Sequence, residues 1–401
     1  MDGISRRKML IVGGGALGAL GALGSPAWAW SPSGSVAGAG AGADPRWVWD
    51  PEADAVVAAI LDRGQVPEVN RLLRTWTRND QPLPDGLPAD LRAFMEQARR
   101  LPEWADQAKL DRAADFVTTK GTYLIPLYGL GGGMLSCAIP NEARAVYYSK
   151  GGADLKDRAA KTGKLGYDLQ EPNAYRPDGQ MVVTTVKTRL VHAAVRHLLP
   201  QSPYWPKTGG QIPISQNDML VTWHTLPTYV MRKLTEWRVR IAPAESAAFL
   251  HIWQVTAHML GIRDEYIPAS WDAANAQSKQ VLDPVISQTR EGLDLADKIL
   301  TISAKGITPD GSTRPLVNAL ARHTVGDRIA DMVGIPRELV LDPLVRTGFP
   351  IWVALRENLI PLPLVPQITR ALDDMIRKYI MFYLSGGERI SIDIPDTNRP
   401  A

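Results

Sequence analysis

The chain has 401 residues, with 45 Lys and Arg against 42 Asp and Glu, a formal charge of +3 that is too near neutral to imply a nucleic-acid partner. Its single cysteine, Cys137, lies in apolar sequence and excludes an internal disulfide, so a core of ordinary size for this length must hold the fold unaided.

Residues 1–29 read as an export signal. Ser5-Arg6-Arg7-Lys8-Met9-Leu10 is a twin-arginine motif, a weakly apolar Gly/Ala/Leu run follows, and Ala27-Trp28-Ala29 is the expected peptidase site. Passage through the twin-arginine translocase predicts a secreted chain that leaves the cell folded, and such export commonly serves proteins loaded with a cofactor beforehand. Arg6, Arg7, Lys8 and Asp2 leave with the signal, a net +2, so the charge of +3 falls to +1. Gly13-Gly14-Gly15-Ala16-Leu17-Gly18 fits G-x-G-x-x-G only formally. It leads into a cleavage site rather than a βαβ unit, which excludes a dinucleotide fold.

Residues 30–44 are rich in Gly, Ala and Ser and predict a flexible linker, leaving 45–401 as one domain. Val56, Val57, Ile60 and Leu61, stopped by Gly64, predict a short amphipathic helix, and Leu91, Phe94, Met95 and Ala98, ending before Pro102, predict another. Thr122 to Ile139 is the most apolar stretch and long enough for a membrane span, but Pro126, Gly129, Gly131, Gly132 and Gly133 argue against a stable one. A buried helix is expected, its glycines admitting either a close neighbour or a flat ligand.

Arg158, Lys161 and Thr162 have i, i+3, i+4 spacing, which puts a guanidinium, an amine and a hydroxyl on one helical face that Gly163 should cap. A solvated basic face has the same spacing. The loop 166–180 then returns the chain to a helix from Met181 that Pro200 ends, carrying His192 and His197. Two helices facing each other across a ligand is the simplest arrangement. Ile368, Leu372, Met375, Ile376, Tyr379, Ile380 and Tyr383 predict a last long helix, stopped at Ser385-Gly386-Gly387.

Hydrolase signatures such as G-x-S-x-G are missing, as are H-E-x-x-H and E-x-x-H. Of the histidines His192, His197, His224, His251, His258 and His323, neither near pair chelates one ion. His192 and His197 point about 140° apart on a helix, and His251 and His258 are separated by about 10.5 Å of rise. A cofactor that brings four nitrogens of its own needs one protein histidine, so non-covalent haem is consistent with this pattern, whereas C-x-x-C-H for covalent attachment is absent. Small Ala193 and Ala194 leave room beside His192, yet spacing alone ties His192 with His197, and either serves equally as a hydrogen-bonded core residue.

Cys137-Ala-Ile-Pro-Asn-Glu142-Ala-Arg-Ala-Val, Arg158-Ala-Ala-Lys161-Thr162-Gly163 and Lys187-Thr-Arg-Leu-Val-His192-Ala-Ala-Val-Arg196-His197 together resemble the latex clearing proteins, secreted bacterial rubber oxygenases within a wider group of haem oxygenases. The likeness extends more loosely from about Trp104 to Gly387. It implies a mostly α fold, a globin-like helical core with additional helices, holding haem b and cutting poly(cis-1,4-isoprene) with O2 into oligo-isoprenoids with aldehyde and ketone ends. By the same carry-over, His192 is the proximal iron ligand, while Arg158, Lys161 and Thr162 face the distal side with Lys161 able to reach the iron. Glu142 is either a base for an allylic proton or an anchor for those cations. A monomer with no membrane span is expected. The alternatives are an oxygenase of the wider group acting on a smaller terpenoid or lipid, and a secreted haem protein without catalysis.

Overall fold

The computed structural model describes residues 28–29, 34–38, 41–169, 171–205, 212–357, 375 and 378–399. As the sequence predicts, it is mostly helical. The one sheet among the described residues is a two-residue antiparallel ladder, β1 (Trp28–Ala29) on β2 (Ala41–Gly42). The twin-arginine motif and the apolar run lie outside the described residues, whereas β1 comprises the last two residues of the expected signal, so cleavage there would remove the ladder. The expected linker is partly docked: Val36 N donates to Ile267 O, Ala269 N to Gly34 O and the Tyr266 hydroxyl to Ala43 O. Paired backbone, rather than side-chain bulk, holds this small-residue segment against the body, which is why its composition reads as loose.

Helix α1 (Pro51–Asp62) begins where Asp50 caps it and Pro51 presets the first turn. Helix α2 (Val66–Leu73) and α3 (Ala89–Ala98) come next with their apolar faces inward, and α1 and α3 carry the expected spacing. Helix α4 (Gln107–Thr119) starts the central part of the fold.

The apolar stretch is a broken rod: α5 (Gly121–Pro126), a π segment over Leu127–Gly132, then α6 (Gly133–Cys137). Pro126 cannot donate to the ladder, and the glycines cost little to widen the turn. No single described helix is long and apolar enough to cross a membrane; this rod with α7 (Pro140–Tyr148) is bent by 97°. Gly131 and Gly132 face protein. A β-carbon on Gly131 would come within 2.6 Å of the Tyr229 ring, and one on Gly132 within 2.9 Å of Thr225 O. A neighbouring ring at Gly131 and a neighbouring backbone at Gly132, not a flat ligand, use these two positions.

Helix α8 (Leu155–Leu169) continues past Gly163, so the expected cap and the start of the loop at 166 are both corrected. Side-chain contacts explain the extension, since Met381 and Leu384 lie where a β-carbon on Gly163 would be in van der Waals contact, and Lys164 grips Asp168 at 2.6 Å one turn on. Helix α9 (Met181–Leu198) packs on both α8 and α1. Next come α10 (Gln216–Trp223), a second π segment (His224–Thr228) and α11 (Tyr229–Glu236).

Helix α12 (Pro243–Met259) makes its broadest contact with α4, where Phe116 and Phe249 meet at 5.3 Å between centroids. Helices α13 (Trp271–Val281), α14 (Arg290–Ile307), α15 (Arg314–Val325), α16 (Asp327–Met332) and α17 (Leu341–Arg356) complete the body. Beyond α17, the expected last helix lies largely outside the described residues, though 378–385 is helical and ends at Gly386-Gly387 as predicted.

A buried ion pair joins the two sides of this arrangement. Lys120 Nζ lies 2.8 Å from Glu357 Oε2, and the carboxylate also accepts from the Tyr123 hydroxyl and Arg240 N. With every lone pair answered, a charge pair that is only 8% exposed on each residue is tolerable in the interior.

Candidate active site

Helix α9 carries His192, and it is clamped on both sides of that residue. Arg189, one turn before, meets buried Asp50 at 2.6 Å; Arg196, one turn after, meets Asp54 at 2.6 Å. Both carboxylates belong to the start of α1, so α1 fixes the register of α9. Burial raises the Asp50 carboxyl, but the hydrogen bonds and charge of Arg189, with the charge of Arg196, outweigh it and hold Asp50 below the usual carboxylate range.

His192 Nδ1 is buried without a hydrogen-bond partner among the described residues. Burial, then the charges of Arg196 and Arg158, push the imidazole down to about 3, so it is neutral at physiological pH. His197, in contrast, turns outward to Asp62 at 3.5 Å. His224 is saturated by Thr228 and Gln277 at 2.8 and 2.7 Å, His251 accepts from Asp106 N, and His258 pairs with Asp264 at 2.6 Å. Only His323 shares the unpartnered state, at Nε2, and there the ring is packed against Trp237 and Phe349 with no carboxylate or guanidinium of the predicted set beside it. Geometry therefore separates His192 from His197 where spacing leaves them tied.

Arg158 projects from α8 across Gly151, whose absent β-carbon would sit 3.2 Å from the guanidinium. No carboxylate among the described residues lies within ion-pair distance of it. Burial lowers its pKa and the charge of Glu142 opposes that shift, while Arg158 in turn acts on His192 and Glu142. Three predicted residues, Glu142, Arg158 and His192, thus share one electrostatic neighbourhood built from α7, α8 and α9. Each is desolvated by surrounding protein and each is half-buried.

Glu142 sits in the first turn of α7. Thr222 Oγ1 donates to its Oε1 at 2.7 Å and Ser136 is a second hydroxyl partner. Burial pushes the carboxyl up to about 7, the two hydroxyls and Arg158 pull it down, and Asp218 pushes it up. A carboxyl balanced there exchanges a proton near neutrality. Sequence reasoning misses Ser136 and Thr222 because neither carries a motif, and Thr222 lies 80 positions from Glu142.

Lys161 and Thr162 are placed differently. The Lys161 ammonium is 2.7 Å from Asp157 on its own helix, and Thr162 is exposed. The structure does not bring either to His192; for the amine to meet a metal it would have to leave Asp157 and lose its proton. Cys137 is buried, and burial followed by the charge of Glu142 pushes its thiol up to about 12, so it is an inert thiol as expected.

These residues fit a flat macrocycle that supplies four nitrogens. One neutral imidazole with an unpartnered nitrogen stands beside Ala193 and Ala194, and no group of three or more His, Cys, Asp or Glu among the described residues could cage a bare ion.

The catalytic-domain model described as ER-bound oxygenase mpaB/B'/Rubber oxygenase matches residues 120–353. The rubber oxygenase of Streptomyces sp. (strain K30) is 60% identical over 410 aligned positions, covering 100% of both chains and so taking in α1 to α3. A solved structure of latex clearing protein LCP in the closed state gives a TM-score of 0.83 at 60% identity, covering 92% of this chain and 99% of that one. Glu142, Arg158 and His192 all fall inside the matched domain, and the chain belongs to the mpaB and rubber oxygenase family of cofactor-dependent oxygenases.

Proposed function

We propose that the chain is a haem b oxygenase that cleaves the double bonds of poly(cis-1,4-isoprene) with O2, releasing oligo-isoprenoids with an aldehyde at one end and a ketone at the other. The observation that carries the reading is the neutral imidazole of His192, unpartnered at Nδ1 among the described residues, in one electrostatic neighbourhood with Arg158 and Glu142. The names of the two relatives, rubber oxygenase and latex clearing protein, support the substrate.

His192 would hold the iron from α9, and the Arg189 and Arg196 clamps would keep that helix from shifting as ligands change. Haem, when bound, supplies the activation of O2 that no side chain here offers. Arg158, with no carboxylate among the described residues within ion-pair distance, is available to stabilise negative charge developing on oxygen. Glu142 takes a proton from an allylic carbon and returns it, which a carboxyl near neutrality does in both directions. Lys161 can serve as an iron ligand only by exchanging Asp157 for the metal, and Thr162 contributes a hydroxyl at the outer end of the same face. Polyisoprene has no polar handle, so orientation falls to apolar walls and these few groups.

Cleavage under labelled O2 tests the reaction. Label in both carbonyls, trapped before exchange with water, is the expected result; products formed without O2 overturn the reading. Secretion of the folded holoprotein by the twin-arginine route is part of the proposal and rests on Arg6 and Arg7. Arg6→Lys with Arg7→Lys should leave active enzyme inside the cell, and ordinary secretion of that variant would count against it.

A further inference from the structure

Two hydroxyls serve Glu142, and each lies near a widened turn. Ser136 lies just after the π segment at Leu127–Gly132, and Thr222 just before the one at His224–Thr228. An extra residue in a helical turn rotates the side chains downstream of it by about 100°, so the first segment sets the direction of Ser136, whereas Thr222 precedes the second segment. The segments touch where Gly132 faces Thr225 O, and a β-carbon there would stand at 2.9 Å. Backbone contact at this point fixes the spacing between α6 and α10, and hence between Ser136 and Thr222.

Thr222 has one hydroxyl proton and two acceptors: Glu142 Oε1 at 2.7 Å and the Asp218 carbonyl oxygen at 3.0 Å. Asp218 is itself fixed, because its carboxylate accepts from Ser215 N at 3.0 Å and from Asn141 at 3.2 Å. The acceptor behind Thr222 is therefore as rigid as the helix it belongs to.

We propose that Thr222 is a two-way positioning residue that holds Glu142 in both of its protonation states, with Ser136 and the Gly132 crossing completing the seat. When Glu142 is ionised, Thr222 donates to the carboxylate. When Glu142 is protonated, its O–H donates to Thr222 Oγ1, and the threonine proton turns to the Asp218 carbonyl. Neither state leaves that hydroxyl or its carboxyl partner without a hydrogen bond, so the proton moves without a side chain having to swing. The other charged and titratable groups facing this carboxyl are Arg158 from α8, Asp218 from α10 and Cys137 from α6, with His192 of α9 in the field of Arg158.

The inference rests on Glu142 serving the reaction proposed above, and the test separates the two. Glu142 is titrated in the haem-loaded enzyme by difference infrared spectroscopy of its carboxyl stretch, assigned with Glu142→Gln, alongside the pH dependence of kcat. Thr222→Val should raise the infrared midpoint and the acid limb of kcat together, by about one pH unit, because the ionised form loses the stronger bond. Thr222→Ser should restore both. Gly132→Ala, which pushes the two turns apart, should move the midpoint the same way; if it does not fold, the Thr222 pair decides alone. An unmoved midpoint in Thr222→Val, or a serine variant that behaves like valine, overturns the proposal. A midpoint that moves in a protein that never cleaves rubber upholds the seat and overturns the assigned reaction.

Discussion

Arg189 and Asp50 meet at 2.6 Å in the interior, one turn before His192, so the first helix of the body holds the helix of the proposed iron ligand. Asp50 is 5% exposed and its carboxyl is held below the ordinary 3.8 of an unfolded chain. A depressed carboxyl adds stability that is fully present above that unfolded value and disappears as pH falls through the lower folded one. Asp50→Asn should therefore be less stable than the parent at pH 7, with the gap closing below about pH 4. Removing Arg196, 3% exposed on its side chain, leaves Asp54 without its partner and should cost about 3–5 kcal/mol. Thermal unfolding across pH checks both, and a pH-independent gap for Asp50→Asn would refute the linkage.

His192→Ala should purify without haem, while His323→Ala, which disturbs only the stack of Trp237 and Phe349, should keep it. Haem absorbance per mole of folded protein is the measurement. Full occupancy in the His192 variant would move the iron ligand elsewhere.

Arg158→Ala should retain haem and lose turnover by about a hundredfold or more, in keeping with the loss of a positioned charge donor. Because no described carboxylate pairs with Arg158, nothing is left stranded by its removal, and the melting temperature should change little. A variant that unfolds or loses haem as fully as His192→Ala would show that the guanidinium is structural.

Cys137→Ser should leave turnover within about threefold of the parent, since a thiol pushed up to about 12 is protonated at working pH. Iodoacetamide should label Cys137 only after unfolding. Rapid alkylation of the native protein, measured by mass, would contradict its buried position.

How far the sequence anticipates this arrangement depends on the range of each interaction. The helix of His192 is legible because Pro200 ends it and its apolar positions are local, and α1 is legible for the same reason. The run through Gly163 is not, because what extends α8 there is contact with Met381 and Leu384, more than 200 positions away. Likewise the glycines at 131 and 132 announce a close approach, but only the fold reveals that the approaching atoms belong to Tyr229 and Thr225 rather than to a ligand. Glu142, Arg158 and His192 come from short motifs, whereas Thr222 and Ser136 are common residues in no motif, and only the fold brings them to Glu142.

Lys120 and Glu357 are separated by 237 positions, and the matched catalytic region begins at one of them and ends just short of the other. During synthesis, the ammonium that opens this region therefore waits for a carboxylate that emerges when most of the chain has already left the ribosome. An N-terminal fragment that stops before Glu357 lacks the carboxylate that accepts from Lys120 in the finished protein.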